Sequence, residues 1–563
     1  MASTTSTPPS LLNAQLYPQQ ALGFFVLGAS LHEILTRVKA EPQRFPKIDL
    51  ISNPKEPVTK EVVVRLPANG IRLQFDGPEQ RLRMVEVVDF TKIHITFKPG
   101  PNEKERDLVR LPAKNGEKAT SEPMTGPTFR HIYHRFLGPT FAGEYIPNVP
   151  KRGTGIYVLS YPGVSFTFPM SPSAYSSGKD NVALMASSGS QVATSMAVFA
   201  GESWKEARKT LWTAVLPSIK TFAPLSRGKE LSPDEVSLVK IHGGGKLQLF
   251  RRWSDKSTWI TLGQTTEQDL VIAFGPPDQK FYKSEQKMAI HKIRTTSNSR
   301  TRGSNGNGNN DIHAHLGSLR SQDGVLTDTD QSSYHSTSAS DAGYDSNEDA
   351  VDDNYQDYDS EHEDEEAANV STECFYNYFY LGFDVLVSNQ TRPSPPAPTQ
   401  TPELAALPPS FVYDRSDRLV ATKVILHSNV PGSYPFNRWR RCRWEIAYLA
   451  GQSHPGSVIN SETPLDDIDV ALREEWKDHL PDHERHKRQK GMVMNRGWGD
   501  SPGSSIEFLG GWEEGVNDRA PGGGGPGGKR FDGGEEGTTT LYGFPGLVFE
   551  VLGNGYVSAL TVF

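Results

Sequence analysis

Cysteine is nearly absent from this chain: Cys374 and Cys442 are the only two in 563 residues. Two thiols cannot build a disulfide framework. With no Cys-x-x-Cys or Cys/His cluster, no set of four zinc ligands can be drawn either. Such sparing use fits a reducing compartment. Long apolar runs are also lacking. No stretch reaches the ~20 apolar residues that span a bilayer as a helix. Met1–Gln20 has no basic segment leading into an apolar one, so no secretory signal is read. A soluble cytoplasmic chain is expected, with membrane contact at most peripheral. The sequons at Asn369 and Asn389 are then chance matches.

Catalytic signatures are missing in the same way. No Gly-x-Ser-x-Gly elbow occurs. Gly522–Lys529 (GGGGPGGK) superficially suggests phosphate binding, but Arg530 stands where a P-loop needs Ser or Thr. A proline interrupts it and no apolar strand precedes it, so it reads as flexible linker. Asp466 and Asp467 are adjacent and do not face each other on a helix; after Pro464 they suit a first helical turn, where negative charge stabilises the macrodipole. His313 and His315 fall in a polar insertion, where no preformed metal site is expected. We therefore expect no enzyme, no cofactor, no metal site and no catalytic residue. A catalytic group assembled only in three dimensions stays open as a third reading.

What is present is folded sequence diluted by polar insertions. Apolar residues make up 36%, against roughly 45–50% in compact globular chains. Residues 1–22 read as a disordered tail, 295–371 as a disordered acidic insertion and 481–537 as a disordered basic and Gly-rich insertion. From Asp341 to Glu366, 13 of 26 residues are acidic and none is Lys or Arg. Without those 13, 54 acidic residues remain against 59 basic ones, so a net charge of −8 hides a body of +5. The acidic arm either meets a basic partner, screens the body, or simply solvates the chain.

An internal pattern organises the rest. Four times a glycine opens an alternating apolar run: Gly70 (Ile71, Leu73, Phe75), Gly163 (Val164, Phe166, Phe168), Gly382 (Phe383, Val385, Val387) and Gly546 (Leu547, Phe549, Val551). A period of two puts these side chains on one sheet face. Turns at Asp76-Gly77-Pro78, Asp414–Asp417 and Gly553-Asn554-Gly555 lead into second alternating runs, and Val192–Phe199 supplies the corresponding strand of the second unit. Helical spacing precedes each: Leu31, Ile34, Leu35, Val38; Phe129, Ile132, Tyr133, Phe136; Asp269–Phe274; and Ile468, Leu472, Trp476. The expected fold is α+β, with four repeated helix-plus-antiparallel-hairpin units forming small sheets. These units occupy 23–100, 126–200, 256–294 with 372–450, and 464–480 with 538–563, and a β-containing connector spans 201–255.

One cluster stands out chemically. Arg438-Trp439-Arg440-Arg441-Cys442-Arg443-Trp444 interleaves four arginines with two tryptophans. Guanidinium groups pair with phosphate and indoles sit at a membrane interface, so Arg438, Trp439, Arg440, Arg441, Arg443 and Trp444 are the candidate lipid or partner contacts. Nucleic acid is disfavoured by the acidic balance. The structural alternative is an edge strand with arginines over aromatic surfaces. Strand alternation would put Arg438, Arg440 and Cys442 on one face and Trp439, Arg441 and Arg443 on the other. A second basic run, Arg485–Lys490, reads as solvated linker that can add attraction to an anionic surface.

Several blocks also resemble a known family. They are Leu27-Gly28 with its helix, Gly70–Asp76 (GIRLQFD), Gln80-Arg81-Leu82 and Val85-Glu86-Val87. Phe136–Tyr145 (FLGPTFAGEY), Phe281–His291 (FYKSEQKMAIH), Asn377-Tyr378-Phe379 with Leu381-Gly382, Leu426–Asn437 (LHSNVPGSYPFN) and Leu547–Val551 (LVFEV) follow in order. Together they resemble the phagosome assembly factor family, departing mainly at residues 481–537, which look expanded. The resemblance implies a non-catalytic adaptor in autophagy. Its implied partner is a β-propeller autophagy protein, with peripheral association at phosphoinositide-bearing or other anionic membranes of the phagophore assembly site. A trans-Golgi role in transport toward the plasma membrane is the alternative that the same resemblance carries.

Overall fold

The computed structural model describes residues 11–109, 126–147, 155–175, 180, 183–184, 188–217, 219, 234–282, 373–389, 419–433, 435–449, 458–479, 491–495 and 538–563. The chain divides into two compact units. The larger comprises Met1–Lys280, Phe375–Gly497 and Leu509–Phe563; the smaller, Phe281–Cys374 and Trp498–Phe508, lies almost wholly outside the described residues. Everything that follows concerns the larger unit.

Helices form where the apolar spacing places them. Helix α1 (Leu31–Ala40) starts at Ser30, whose Oγ accepts a hydrogen bond from Glu33 N at 3.1 Å, and it buries Leu31, Ile34, Leu35 and Val38 on one side. Helix α2 (Phe129–His131) continues into a π-turn at Ile132–Phe136, which brings Phe129, Ile132, Tyr133 and Phe136 into the core together. Helices α3 (Trp204–Thr210) and α4 (Glu267–Phe274) follow, α4 opening with a reciprocal capping box between Thr266 and Asp269. Helix α5 (Leu465–Trp476) carries Asp466 and Asp467 in its first turn, the position their sequence context called for.

Four of these helices are each followed by four strands. After α1 come Asp49–Ile51, Val62–Leu66, Ile71–Phe75 and Leu82–Val87; after α2, Glu144–Ile146, Gly155–Tyr161, Val164–Met170 and Ser195–Phe199. After α4 come Gln279–Tyr282, Cys374–Tyr378, Phe383–Asn389 and Leu419–His427; after α5, Met492–Asn495, Thr538–Phe544, Leu547–Leu552 and Val557–Val562. The expectation of small sheets built from hairpins gives way here to a larger arrangement. The last strand of the first set pairs antiparallel with the last of the second (Val85 opposite Val198), and the third set joins the fourth the same way (Leu426 opposite Leu560). Two sheets of eight strands result. The physical reason is that a terminal strand of a four-stranded sheet exposes a row of unpaired main-chain groups, and joining two such edges satisfies both.

Two smaller sheets complete the fold. One contains Leu12–Tyr17 running parallel to Ile93–Phe97, with Leu12, Ala14 and Leu16 buried. Residues 12–17 are therefore core strand, a correction to the tail expected over 1–22: every second residue is apolar and finds a partner strand. The other small sheet has the order Ser257–Thr261, Lys246–Arg251, Val236–Ile241, Trp444–Ile446. Strand Met492–Asn495 likewise falls inside 481–537, where only insertion was expected. The remaining insertion segments, the Gly-rich run, His313, His315 and Arg485–Lys490 lie outside the described residues.

The four glycines singled out by the alternating pattern have φ of +66, +75, +87 and +73 at Gly70, Gly163, Gly382 and Gly546. At Gly382 the requirement is doubled, because a Cβ there would also collide with the carbonyl oxygen of Arg440 and press on Cys442. Gly382→Ala is expected to destabilise the protein by at least ~2 kcal/mol, since left-handed backbone alone costs an L-residue about 1–2 kcal/mol. Chemical denaturation of the variant against the wild type measures this.

Candidate functional site

The turn between Ile71–Phe75 and Leu82–Val87 is the centre of the site. Asp76 closes it, one carboxylate oxygen accepting from Glu79 N at 2.8 Å and the other from the Arg83 guanidinium. Gln80 sits at φ +52, an unusual conformation for a residue with a long side chain, and is held there by a reciprocal amide pair. Its Nε2 donates to Asn429 O and its Oε1 accepts from Asn429 Nδ2, both at 2.8 Å. Asn429 and Asn437 also have positive φ, and Asn437 N donates to Asn429 Oδ1 at 2.7 Å. These bonds tie a turn of the first eight-stranded sheet to loops next to the second, across 349 residues of sequence.

Buried charge surrounds this turn. Arg81, 2% exposed, donates to Glu235 at 2.8 Å and to Gly28 O at 3.2 Å. Arg440 reaches the same Glu235 oxygen at 3.1 Å and donates to Val236 O and Tyr380 O. Arg441 donates to Pro78 O at 2.7 Å, Ser428 O at 2.6 Å and Glu462 at 2.9 Å. Arg252 bonds Glu79 at 3.0 Å, and Arg443 joins Glu462 at 3.0 Å to Glu79 at 3.6 Å. Six arginines thus share four carboxylates, and the excess guanidinium N–H groups are spent on main-chain carbonyls.

The electrostatics follow from this imbalance. Burial alone would raise the Glu235 carboxyl, but Arg440 and Arg81 hold it down at about 2. Burial lowers Arg440 to about 10, with Glu235 opposing and Arg81 and Arg252 adding repulsion. Burial pushes the Cys442 thiol up to about 12, so it stays protonated and unreactive. His32, on α1, is pushed down to about 4, chiefly by burial and further by Arg440 and Lys39. Its neutral ring faces Arg438 O through Nε2 at 3.3 Å.

This placement corrects the surface reading of the arginine–tryptophan cluster. Residues 438–443 form no strand, and only Trp444–Ile446 does, beside Val239–Ile241. Arg440, Arg441, Cys442 and Trp444 are all buried, so no alternation of faces exists. A guanidinium already bonded to a buried carboxylate and two or three carbonyls has nothing left to offer a lipid phosphate. Arg443 is half-buried and committed to Glu462. Arg438 and Trp439 alone of the six candidates reach the surface with chemistry to spare. Sequence reasoning missed Glu79, Arg81, Glu235, Arg252 and Glu462; the only local trace was Gln80-Arg81 within a family block, and no spacing links it to Glu235.

The surface rim is built on the same network. The Trp439 indole N–H donates to Asp384 Oδ1 at 2.8 Å and the ring stacks on His427, centroids 3.9 Å apart and planes within 10°. His427 Nε2 bonds the other Asp384 oxygen at 2.9 Å. The exposed Arg438 guanidinium lies 4.8 Å from the Trp439 ring centre and 5.9 Å from that of Phe379. Tyr380, 54% exposed, stands edge-on to His32 at 5.6 Å. Arg438, Trp439, Phe379 and Tyr380 thus form an arginine–aromatic patch whose floor is fixed by buried hydrogen bonds.

Removing one member of the junction leaves its partners buried and unpaired. Glu235→Ala is expected to cost about 3–5 kcal/mol, read by denaturant unfolding. Acid acts at His32 as well. The unfolded ring takes a proton below 6.5 and the native ring only below about 4, so His32 contributes fully above pH 6.5 and its share is lost as pH falls toward 4. The loss amounts to roughly 3 kcal/mol. His32→Gln is expected to flatten the stability profile between those limits in denaturant titrations at stepped pH.

Comparison with known proteins completes the picture. The family model described as Phagosome assembly factor 1 matches residues 21–307 and 410–563. The PHAF1 protein of Drosophila melanogaster is 21% identical over 582 residues, covering 98% of this chain and 94% of its own. That of Arabidopsis thaliana is 31% identical over 160 residues, 28% of this chain and 33% of its own. That of Caenorhabditis elegans is 24% identical over 284 residues, 48% of this chain and 60% of its own. No solved structure matches the chain. The matched ranges take in every residue of the buried junction from Asp76 to Glu462, and the chain belongs to the phagosome assembly factor 1 family.

Proposed function

We propose that this protein is a non-catalytic adaptor in autophagy that binds a β-propeller partner and meets anionic, phosphoinositide-bearing membrane peripherally at the site of phagosome assembly. Family membership supplies the general role. The observation that carries the adaptor reading is the exposed patch of Arg438, Trp439, Phe379 and Tyr380 on a rigid floor. Arginine, tryptophan and tyrosine dominate the energetics of protein interfaces, because they offer large contact area and charge with few rotamers to freeze. Here Asp384, His427 and His32 already hold the ring positions, so docking orders little that is loose.

Within this reading, binding is carried by protein contact at the patch, and the membrane is reached through the complex. The cytoplasm is the compartment that fits both. Arg438→Glu and Tyr380→Ala change exposed side chains and leave the Glu235 and Glu462 ion pairs intact. Each is expected to weaken capture of a β-propeller autophagy protein by about tenfold, or ~1.4 kcal/mol. The measurement is affinity purification of the tagged protein from starved cells with quantitative mass spectrometry, alongside imaging of its recruitment to forming phagosomes. Capture and recruitment unchanged in both variants would overturn the assignment of the patch, and Golgi tethering factors recovered in place of autophagy components would overturn the function.

A further inference from the structure

The four-stranded sheet ends in an edge that differs from the others. Ser257–Thr261 pairs on one side with Lys246–Arg251, and no described strand lies on its other side. Described residues run without a break from 234 to 282, so both ends of this strand are fixed. By contrast, the edge strands Gln279–Tyr282 and Met492–Asn495 run on into segments outside the described residues. At its opposite edge the same sheet has already grown by addition of a distant strand, Trp444–Ile446, parallel to Val239–Ile241.

The hydrogen-bond register shows what the open edge offers. Arg251 N donates to Lys256 O, and Leu262 N donates to Gly245 O at 2.9 Å. In an antiparallel ladder inward-bonded positions alternate, so 256, 258, 260 and 262 bond into the sheet and 257, 259 and 261 face outward. Thr261 is already occupied: its N–H donates to Thr265 Oγ1 at 2.8 Å, and its carbonyl accepts from Gln264 N and Thr265 N. The main-chain N–H and C=O of Ser257 and Trp259 remain, pointing away from the sheet with no bond to a described residue. Trp259 is 48% exposed, and its ring lies 5.0 Å from that of His242. A lysine stands at each end of this edge, Lys256 before Ser257 and Lys246 opposite Thr261, both exposed. The nearby acids are Asp255, which is exposed, and Glu445, which Lys240 approaches at 3.8 Å.

We propose that strand Ser257–Thr261 is a docking edge for an extended, acidic segment of a partner protein, which adds to the sheet as a fifth strand. The row of unspent main-chain groups at Ser257 and Trp259 supplies the pairing. The Trp259 ring supplies an anchor for one side chain of the incoming strand, and Lys246 and Lys256 select carboxylates at its two ends. This surface lies apart from Arg438 and does not depend on the function proposed above.

The test uses the full-length protein and a fluorescently labelled short peptide of alternating valine and glutamate, followed by anisotropy. Ser257→Pro deletes an outward N–H that no ladder bond uses, and proline is tolerated on sheet edges. The variant should melt like the wild type and bind the peptide about tenfold more weakly or worse. On the unaltered wild type, the same peptide N-methylated at alternate residues should lose binding comparably, and a valine–lysine peptide should bind about tenfold more weakly. Three results would each overturn the proposal. One is the absence of binding by the wild type. Another is binding that neither Ser257→Pro nor N-methylation weakens. The third is self-association of the wild type that Ser257→Pro abolishes, which would give the edge to a second copy. Binding that appears only after residues 295–371 are deleted would assign the edge to the chain's own acidic tract and remove the partner.

Discussion

The shared carboxylate of Glu235 holds this structure to its architecture. Two guanidinium groups, Arg81 from the first eight-stranded sheet and Arg440 from the loop beside the second, converge on one of its oxygens at 2.8 and 3.1 Å. None of the three side chains has access to enough water to exist alone at that depth, so each requires the other two. That mutual requirement fixes the position of the 76–81 turn, and through Gln80 and Asn429 it fixes the backbone of the loop leading to Arg438. Apolar packing could have joined the two sheets more cheaply. What ion pairs add is direction: a guanidinium with several carbonyl partners has one acceptable pose.

Function in this reading inherits its geometry from the junction. Arg440 and Arg441, the two arginines that looked most like a membrane contact, are the residues that position Arg438 and Trp439 in between solvent and core. Trp439 is held on one side by the Asp384–His427 pair, and its outer face carries Arg438. The arginine–tryptophan run is therefore one piece of chain with two duties. Its C-terminal part anchors, and its N-terminal part presents. A surface supported in this way changes shape little on binding. The same principle governs the small sheet, where Trp444–Ile446 closes one edge in the interior and Ser257–Thr261 leaves the other facing outward.

Much of the fold was legible locally. The alternation after Gly70, Gly163, Gly382 and Gly546 placed four strands, because a sheet with one buried face imposes a period of two wherever it occurs. Helical spacing located α1, α2, α4 and α5 for the corresponding reason. Sequence could not show that the sets of strands fuse into sheets of eight, since Val85 and Val198, or Leu426 and Leu560, look like ordinary core residues until their strand edges meet. The strand Leu12–Tyr17 was obscured by its polar neighbours Asn13 and Gln15, which point away from the core. Family resemblance was legible as well, through blocks of unusual composition that the matched ranges later enclosed.

The sequence by itself determined the α+β class, the positions of the principal helices and glycine turns, and the family. All of these depend on residues within a few positions of one another or on the wording of short blocks. Only the tertiary structure decided which charges are buried. Whether Arg440 meets a lipid phosphate or Glu235 depends on a carboxylate 205 positions away, and on the depth at which the two meet. Nothing in the spacing of residues encodes that depth. Burial and long-range pairing are properties of the folded chain as a whole, and they turned a cluster that reads as surface into the inner support of the one exposed patch beside it.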